Sequence, residues 1–222
     1  MPYDWNFSIV LQYMPQLLWG GLHTVVLSAA CIALAVPIGV VLGVIRHQRV
    51  PFLAPIAVVY IDFFRTSVAL VLICWCYYAL PILLGVNLST FTAVTIAIGL
   101  QASAYLAELV RAGLRSISAG QWEAARALGM PGRMRLRYII LPQAARRMIP
   151  VFFLLVVEVV KTTTLAGIVT YPEIVYEAFR VSTEVYRPVE TFTIVGFICF
   201  AFLFVTGRIA MRLERRYAAI EG

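Results

Sequence analysis

Residues 20–45 read GGLHTVVLSAACIALAVPIGVVLGVI, a run without a charge that is halted by Arg46-His47-Gln48-Arg49. A helix crossing the hydrocarbon core of a bilayer needs about 20 predominantly apolar residues at ~1.5 Å rise each, so this run is long enough to span with some tilt. Four further runs follow, at about 67–84, 88–111, 148–168 and 191–207. The second and third are joined only by Gly85-Val86-Asn87, which makes them a hairpin, and none shows the strict alternation of a transmembrane β-strand. The expected architecture is an all-α integral membrane protein, a single domain over residues 1–222 with five transmembrane helices.

Composition points the same way. The 222 residues are 62% hydrophobic and 13% charged, with a mean hydropathy of +0.89. A soluble domain is nearer half apolar and a quarter charged, and one core of this size cannot bury the excess. The net charge of +7 would by itself admit a nucleic-acid partner, so its distribution decides. Arg46, Arg49, Arg65, Arg111, Arg115, Arg126, Arg133, Arg135, Arg137, Arg146, Arg147, Arg208, Arg212, Arg215 and Arg216 fall on one side of the expected spans. Arg180 and Arg187 fall on the other, and Lys161 lies within the fourth run. Basic residues near span ends mark the cytoplasmic side, which places the N-terminus outside and the C-terminus in the cytoplasm, and leaves no basicity for nucleic acid to explain.

Met1 to Gln16 lacks the basic start of a cleavable signal, so the first span reads as an uncleaved insertion signal. Cys31, Cys74, Cys76 and Cys199 lie inside apolar runs, and Cys74 and Cys76 have neither the spacing nor the second pair of a metal site. His23 and His47 are isolated. No metal site, no catalytic residue and no enzymatic activity are expected.

The loop between the third and fourth runs is polar and patterned. Ser118-Ala119-Gly120-Gln121 has the form of a capping box, predicting a helix from about Ala119 that stops at Gly129. Pro131 suits the first turn of a second helix, expected to end before Pro142. Within this element stand Glu123-Ala124-Ala125, Gly129 six residues after Glu123, and then Ile139, Leu141 and Pro142. This pattern resembles the Glu-Ala-Ala motif of the permease subunits of ATP-binding-cassette (ABC) importers. Further matches resemble the polar-amino-acid permeases of that group, which serve histidine, glutamate, glutamine, arginine or opines, and in particular the glutamate/aspartate type. They are Ala104-Tyr105-Leu106-Ala107-Glu108 with Arg111, Gly120-Gln121, Leu141-Pro142-Gln143-Ala144 and Leu213-Glu214-Arg215-Arg216. Arg65-Thr66-Ser67 stands where that group usually has Arg-Gly-Thr-Pro, and Gln101-Ala102-Ser103 where Asn-Ser-Gly is commoner.

The resemblance implies a type I ABC importer permease fold in a cell inner membrane, working as a pair with a second permease subunit, the same or homologous. It also implies a cytoplasmic ATP-binding subunit dimer, an extracytoplasmic solute-binding protein and an amino-acid substrate. No Gly-x-x-x-x-Gly-Lys-Ser/Thr loop is present, so ATP is expected to bind the partner and this chain to need no cofactor of its own. A pore opened by a soluble ATPase needs a rigid element for that partner to grip, and 118–142 supplies one. Glu123 can meet cationic or hydroxyl groups, Ala124 and Ala125 permit close approach, Trp122 and Leu128 can anchor, and Gly129 allows the bend. The competing reading is an amphipathic helix resting on anionic lipid, which requires neither the Glu nor the Gly spacing.

Polar residues inside the runs are the remaining candidates. Gln101, Tyr105 and Glu108 share one helical face, with Ser103 and Ala104 beside it, and such a stripe either lines a path or packs helices. Glu108 also suits an ion pair with Arg111. Glu158 lies about 15 Å into the fourth run with Lys161 and Thr162 on the same face. Glu158 and Lys161 either neutralise each other or meet the ammonium and carboxylate of a zwitterion. Arg65 completes the set. Thr170-Tyr171-Pro172-Glu173 has a second capping form, predicting a helix from about Tyr171 to Ser182. A secondary transporter or channel not driven by ATP could hold Glu158 and Lys161 too, but has no use for the Glu-Ala-Ala loop.

Overall fold

The computed structural model describes the backbone of residues 4–218 and their side chains except at 209, 210 and 213–218, so the side chains of Leu213-Glu214-Arg215-Arg216 lie outside the described residues. All regular structure among the described residues is helical: α1 (Phe7–Leu11), α2 (Met14–Gln48), α3 (Leu53–Thr66), α4 (Ala69–Leu84), α5 (Thr90–Arg115), α6 (Ala119–Ala127), α7 (Gly132–Val169), α8 (Ile174–Val185) and α9 (Pro188–Ala218). Four of these, α2, α5, α7 and α9, are long and apolar enough to cross a membrane, and a fifth crossing results if α3 and α4 count as one broken span. The second run, expected over 67–84, is therefore not a free-standing span. Ser67 is extended (ψ 143), and α4 at ~24 Å is short of the ~30 Å hydrocarbon core.

Some prolines sit inside helices without stopping them, among them Pro142, where a stop was expected. Pro81 and Pro142 each follow a π turn, Trp75–Ala79 and Leu136–Ile140. A proline cannot donate to the carbonyl four residues back and its ring presses on it; here those carbonyls belong to Tyr77 and Tyr138, inside the wider turn that relieves the clash. The helix expected to end before Pro142 thus runs on from Gly132 to Val169.

By internal contacts the chain forms two compact units. The first holds the residues up to 33, then 68–99 and 157–205. Its core gathers Val10, Leu17, Ile174, Ala178, Val181 and Val195. Buried hydroxyls tie α2 to α7 and α8: Ser28 Oγ lies 2.9 Å from Thr163 Oγ1, and the Ile174 N–H donates to Thr24 Oγ1 at 3.2 Å. In an apolar surrounding each such bond contributes on the order of 1 kcal/mol. Helix α8 begins three residues later than the capping pattern at Thr170 predicts. Pro172 favours an extended residue before it, and Glu173 caps the helix with its own carboxylate, which accepts from Val175 N at 2.8 Å and Tyr176 N at 2.7 Å. Gly20 lets the start of α8 approach, since a Cβ there would lie 3.0 Å from Ile174 Cα. Three buried carboxylates gather here: Glu173, Glu177, which accepts from Gln16 Nε2 at 2.6 Å and pairs with Arg180, and Glu190, which accepts from Asn6 N at 3.1 Å and pairs with Arg187.

The second unit holds 34–67, 100–156 and the chain from 206 on. Its core is Leu106, Val110, Leu114 and Ile117 with Ile140 and Ala144. Gly39 and Gly43, one turn apart on α2, are pressed against α5. A Cβ on Gly39 would meet Ser103 O at 2.8 Å, and one on Gly43 would meet Ala107 O at 2.7 Å. Small residues four apart are a standard means of bringing two helix backbones together where lipid removes the hydrophobic drive.

Gly43→Val therefore destabilises the detergent-solubilised protein, by about 1–3 kcal/mol or more because the obstacle is backbone, whereas Gly196→Ala, with open space around it, leaves thermal unfolding unchanged or slightly raised. A second outcome concerns pH. Burial pushes the Glu173 carboxyl up to about 7; the Glu177 carboxylate adds to the rise and the two backbone donors oppose it. Because the folded form holds its proton more tightly than the unfolded chain, the contribution to stability is complete below pH ~4.5 and is lost as pH rises to about 7, on the order of 3 kcal/mol. Unfolding temperatures of wild type and Glu173→Gln measured across that window should converge at low pH and separate toward neutrality, with the variant nearly flat.

Candidate coupling surface and polar groups of the spans

Helix α6 spans Ala119–Ala127, and Gly129 closes it in the left-handed conformation (φ 69) that its spacing predicted. Leu128 N, Gly129 N and Met130 N donate to Ala124 O, Arg126 O and Ala125 O, so the last carbonyls are satisfied. The start differs from expectation. Ser118 occupies the N-cap position but its side chain makes no capping bond, and Gln121, instead of reaching back, accepts weakly from Gln143 Nε2 at 3.4 Å. Backbone geometry alone sets this end, through Gln121 N to Ser118 O.

Helix α6 has two faces. Glu123, Ala124, Arg126 and Leu128 are exposed, Leu128 to 77%. Ala125 is buried and Trp122 half-buried, packed against the core of the second unit. The His47 ring stacks on Trp122 at 5.9 Å, and the Arg135 guanidinium lies 5.8 Å from the Trp122 ring centre. Trp122 thus faces inward, while Glu123, Ala124 and Leu128 face outward. Around them the second unit carries eleven arginines up to residue 156 against Asp62, Glu108 and Glu123, an excess suited to an acidic partner surface or lipid headgroups.

Gln101, Ser103 and Tyr105 all meet α3 or the residue that follows it, Gln101 and Tyr105 by donating to the freed carbonyls of its C-terminal end and Ser103 through a hydroxyl in its middle. Gln101 Nε2 donates to Ser67 O at 2.8 Å, Tyr105 Oη donates to Arg65 O at 3.1 Å, and Ser103 Oγ meets Tyr60 Oη at 2.8 Å. These carbonyls are orphaned by the break after Thr66, and α5 satisfies them. Gln101 and Ser103 are buried; Tyr105 stays exposed with the Arg65 guanidinium 5.7 Å over its ring. Glu108 sits between two arginines. Its Oε2 accepts from Arg111 Nη2 at 2.7 Å and Nε at 3.0 Å, and its Oε1 pairs with Arg46 of α2. Glu158 and Lys161 pair with each other at 2.5 Å on an exposed face of α7, and Thr162 turns its hydroxyl back onto Glu158 O at 2.9 Å. Beside Lys161 opens an apolar cavity of ~510 Å³ lined by α2, α7, α8 and α9 residues of the first unit, among them Leu22, Val160, Ile198 and Phe202. The described residues contain no group of three His, Cys, Asp or Glu able to hold a metal.

Sequence reasoning passed over His47, Arg46, Arg135, Tyr60 and the Gly39/Gly43 pair. Only the glycines had a readable signal, their four-residue spacing in an apolar run; the others acquire meaning from a partner distant in the chain.

An all-helical chain with this set of apolar spans and a short capped helix in a basic loop has the membrane permease architecture of type I ABC importers. The whole chain aligns with a protomer in the crystal structure described as an amino acid ABC transporter with histidines, with a TM-score of 0.89, 27% identity and coverage of 96% of this chain and 100% of that one. Residues 7–219 match the family described as binding-protein-dependent transport system inner membrane component, and the chain belongs to that family. It is 36% identical over 223 residues to the octopine transport system permease protein OccM of Rhizobium radiobacter (96% of this chain, 90% of the relative). It is 30% identical over 219 residues to the probable glutamine ABC transporter permease protein GlnM of Bacillus subtilis (96% and 100%).

If α5 satisfies the broken helix, Gln101→Leu strands the Ser67 carbonyl in an apolar setting and lowers stability by about 1–3 kcal/mol. Tyr105→Phe costs less, since Tyr105 is exposed whereas Gln101 is buried. Thermal unfolding of the two purified variants in one detergent should rank them in that order.

Proposed function

We propose that this chain is the translocation subunit of an inner-membrane importer for polar amino acids, with five spans, the N-terminus outside and the C-terminus in the cytoplasm. Substrate class follows from the relatives, which are named for octopine and glutamine transport. The observation that carries the coupling part is the outward face of α6: Glu123, Ala124 and Leu128 exposed on a short rigid helix closed by Gly129. A cytoplasmic ATPase dimer grips that face, binds and hydrolyses ATP, and rocks the spans between two access states. Five spans leave too little wall for a path, so a second permease subunit completes it, and a solute-binding protein delivers cargo on the outer side.

Glu158 and Lys161 form the polar contact offered to the solute. An exposed ion pair near the middle of a span is costly against lipid, which favours a water-filled path beside it. The arginine-rich residues around α6 lie in the cytoplasm, in keeping with the bias of basic residues toward that side.

The test is the assembled transporter in proteoliposomes. Glu123→Lys should release the ATPase subunit and abolish ATP-dependent uptake, while Glu158→Gln and Lys161→Met should keep the ATPase bound and lose substrate-stimulated hydrolysis by about tenfold. Uptake that persists without ATP, or stimulation unchanged in both span variants, overturns the corresponding assignment. Single cysteines placed at 126 and 184 in a cysteine-free background should react only from the cytoplasmic and the outer side respectively.

A further inference from the structure

Force applied to the outward face of α6 enters the rest of the second unit through its short chain connections to α5 and α7 and through the helix's inward side-chain contacts, which are few among the described residues. Ala125 offers one methyl, and Gln121 makes a single 3.4 Å bond to Gln143. Trp122 is the substantial contact. Its ring is in contact with His47, in the last turn of α2, and with the guanidinium of Arg135 of α7. Stacking of this kind and a cation over an indole face are worth about 0.5–1.5 kcal/mol each, enough to fix the ring without making it immobile.

The residue before His47 continues the connection. Arg46 pairs with Glu108 of α5, which Arg111 holds in turn through two donors. One and two turns back along α2, Gly43 and Gly39 lie against the α5 backbone with no room for a methyl group. The end of α2 and the corresponding part of α5 therefore cannot slide past each other without breaking a partly buried charge cluster and a close backbone contact. Among the side chains of α6, the Trp122 ring makes the contact that leads to the end of α2.

We propose that Trp122 is the positioning residue that carries movement of α6 to the end of α2, and that the Arg46–Glu108–Arg111 cluster passes it on to α5. The inference rests on the reading of α6 as the face gripped by the ATPase. It gives Trp122 a role opposite to that of a docking anchor: the ring holds the permease's own helix, and the partner holds Glu123, Ala124 and Leu128.

The experiment uses the complete transporter, with ATPase, second permease subunit and solute-binding protein, reconstituted in proteoliposomes, and reads substrate imported per ATP hydrolysed together with retention of the ATPase subunit. Trp122→Ala and Glu108→Gln each keep the ATPase bound and each lower import per ATP by about tenfold. The double variant is no worse than either single variant within about twofold, because both break one path. Trp122→Phe, which preserves an aromatic face for His47 and Arg135, restores most of the import and guards against a folding defect in the alanine variant. Multiplying losses in the double variant, unchanged import per ATP in the single variants, or release of the ATPase by Trp122→Ala overturns the proposal. Retention of the ATPase by Glu123→Lys is a different failure: it removes the reading of α6 as the gripped face, and the proposal with it.

Discussion

A chain surrounded by lipid cannot leave a peptide group unpaired, and this one interrupts a helix in the middle of its apolar sequence. The break at Ser67–Val68 frees the last carbonyls of α3. Two side chains of α5 answer it, with Gln101 on Ser67 O and Tyr105 on Arg65 O, while Ser103 meets the Tyr60 hydroxyl farther back on α3. Helix α5 is accordingly the most buried of the long helices, 67% against 28% or less for the others. It also receives Gly39 and Gly43 of α2 and holds Glu108 between two arginines. Polar residues that a lipid-facing helix could not tolerate are acceptable on α5 because each has a partner on a neighbouring helix.

That arrangement gives the polar stripe of α5 a structural task whether or not solute passes beside it. Gln101 and Ser103 are buried and occupied, so the candidate residues that remain exposed are Tyr105, Arg65 and, in the first unit, the Glu158–Lys161 pair. The same economy separates the two faces of α6. A nine-residue helix has too little surface to bind a partner on every side, and here Trp122 and Ala125 hold it to its own chain while Glu123, Ala124 and Leu128 stay open.

Much of the helical layout was legible in advance, since apolar length is a one-dimensional property. The first, fourth and fifth runs lie within observed helices, the third does so from its third residue on, and α6 with its closing Gly129 matches its pattern to within two residues. The misreadings share a cause. Pro142 stops a regular α-helix, but a π turn makes room for it; Ser118 and Thr170 have the composition of capping boxes, but Gln121 meets Gln143, and Glu173 caps α8 from a later position. In each case a local rule was outbid by a neighbour that the local pattern does not contain.

Sequence by itself determined that the chain lives in a membrane, which segments are apolar enough to cross, where the arginines concentrate, and the spacing that links Glu123 to Gly129. Those properties depend on composition and on residues within one or two helical turns. Only the tertiary structure decided that Trp122 faces inward against His47, that Gln101 and Tyr105 close a broken helix, and that Glu108 meets Arg46. These are pairings between residues 34 to 75 positions apart, and the partner of a buried polar group is chosen by which helices pack together.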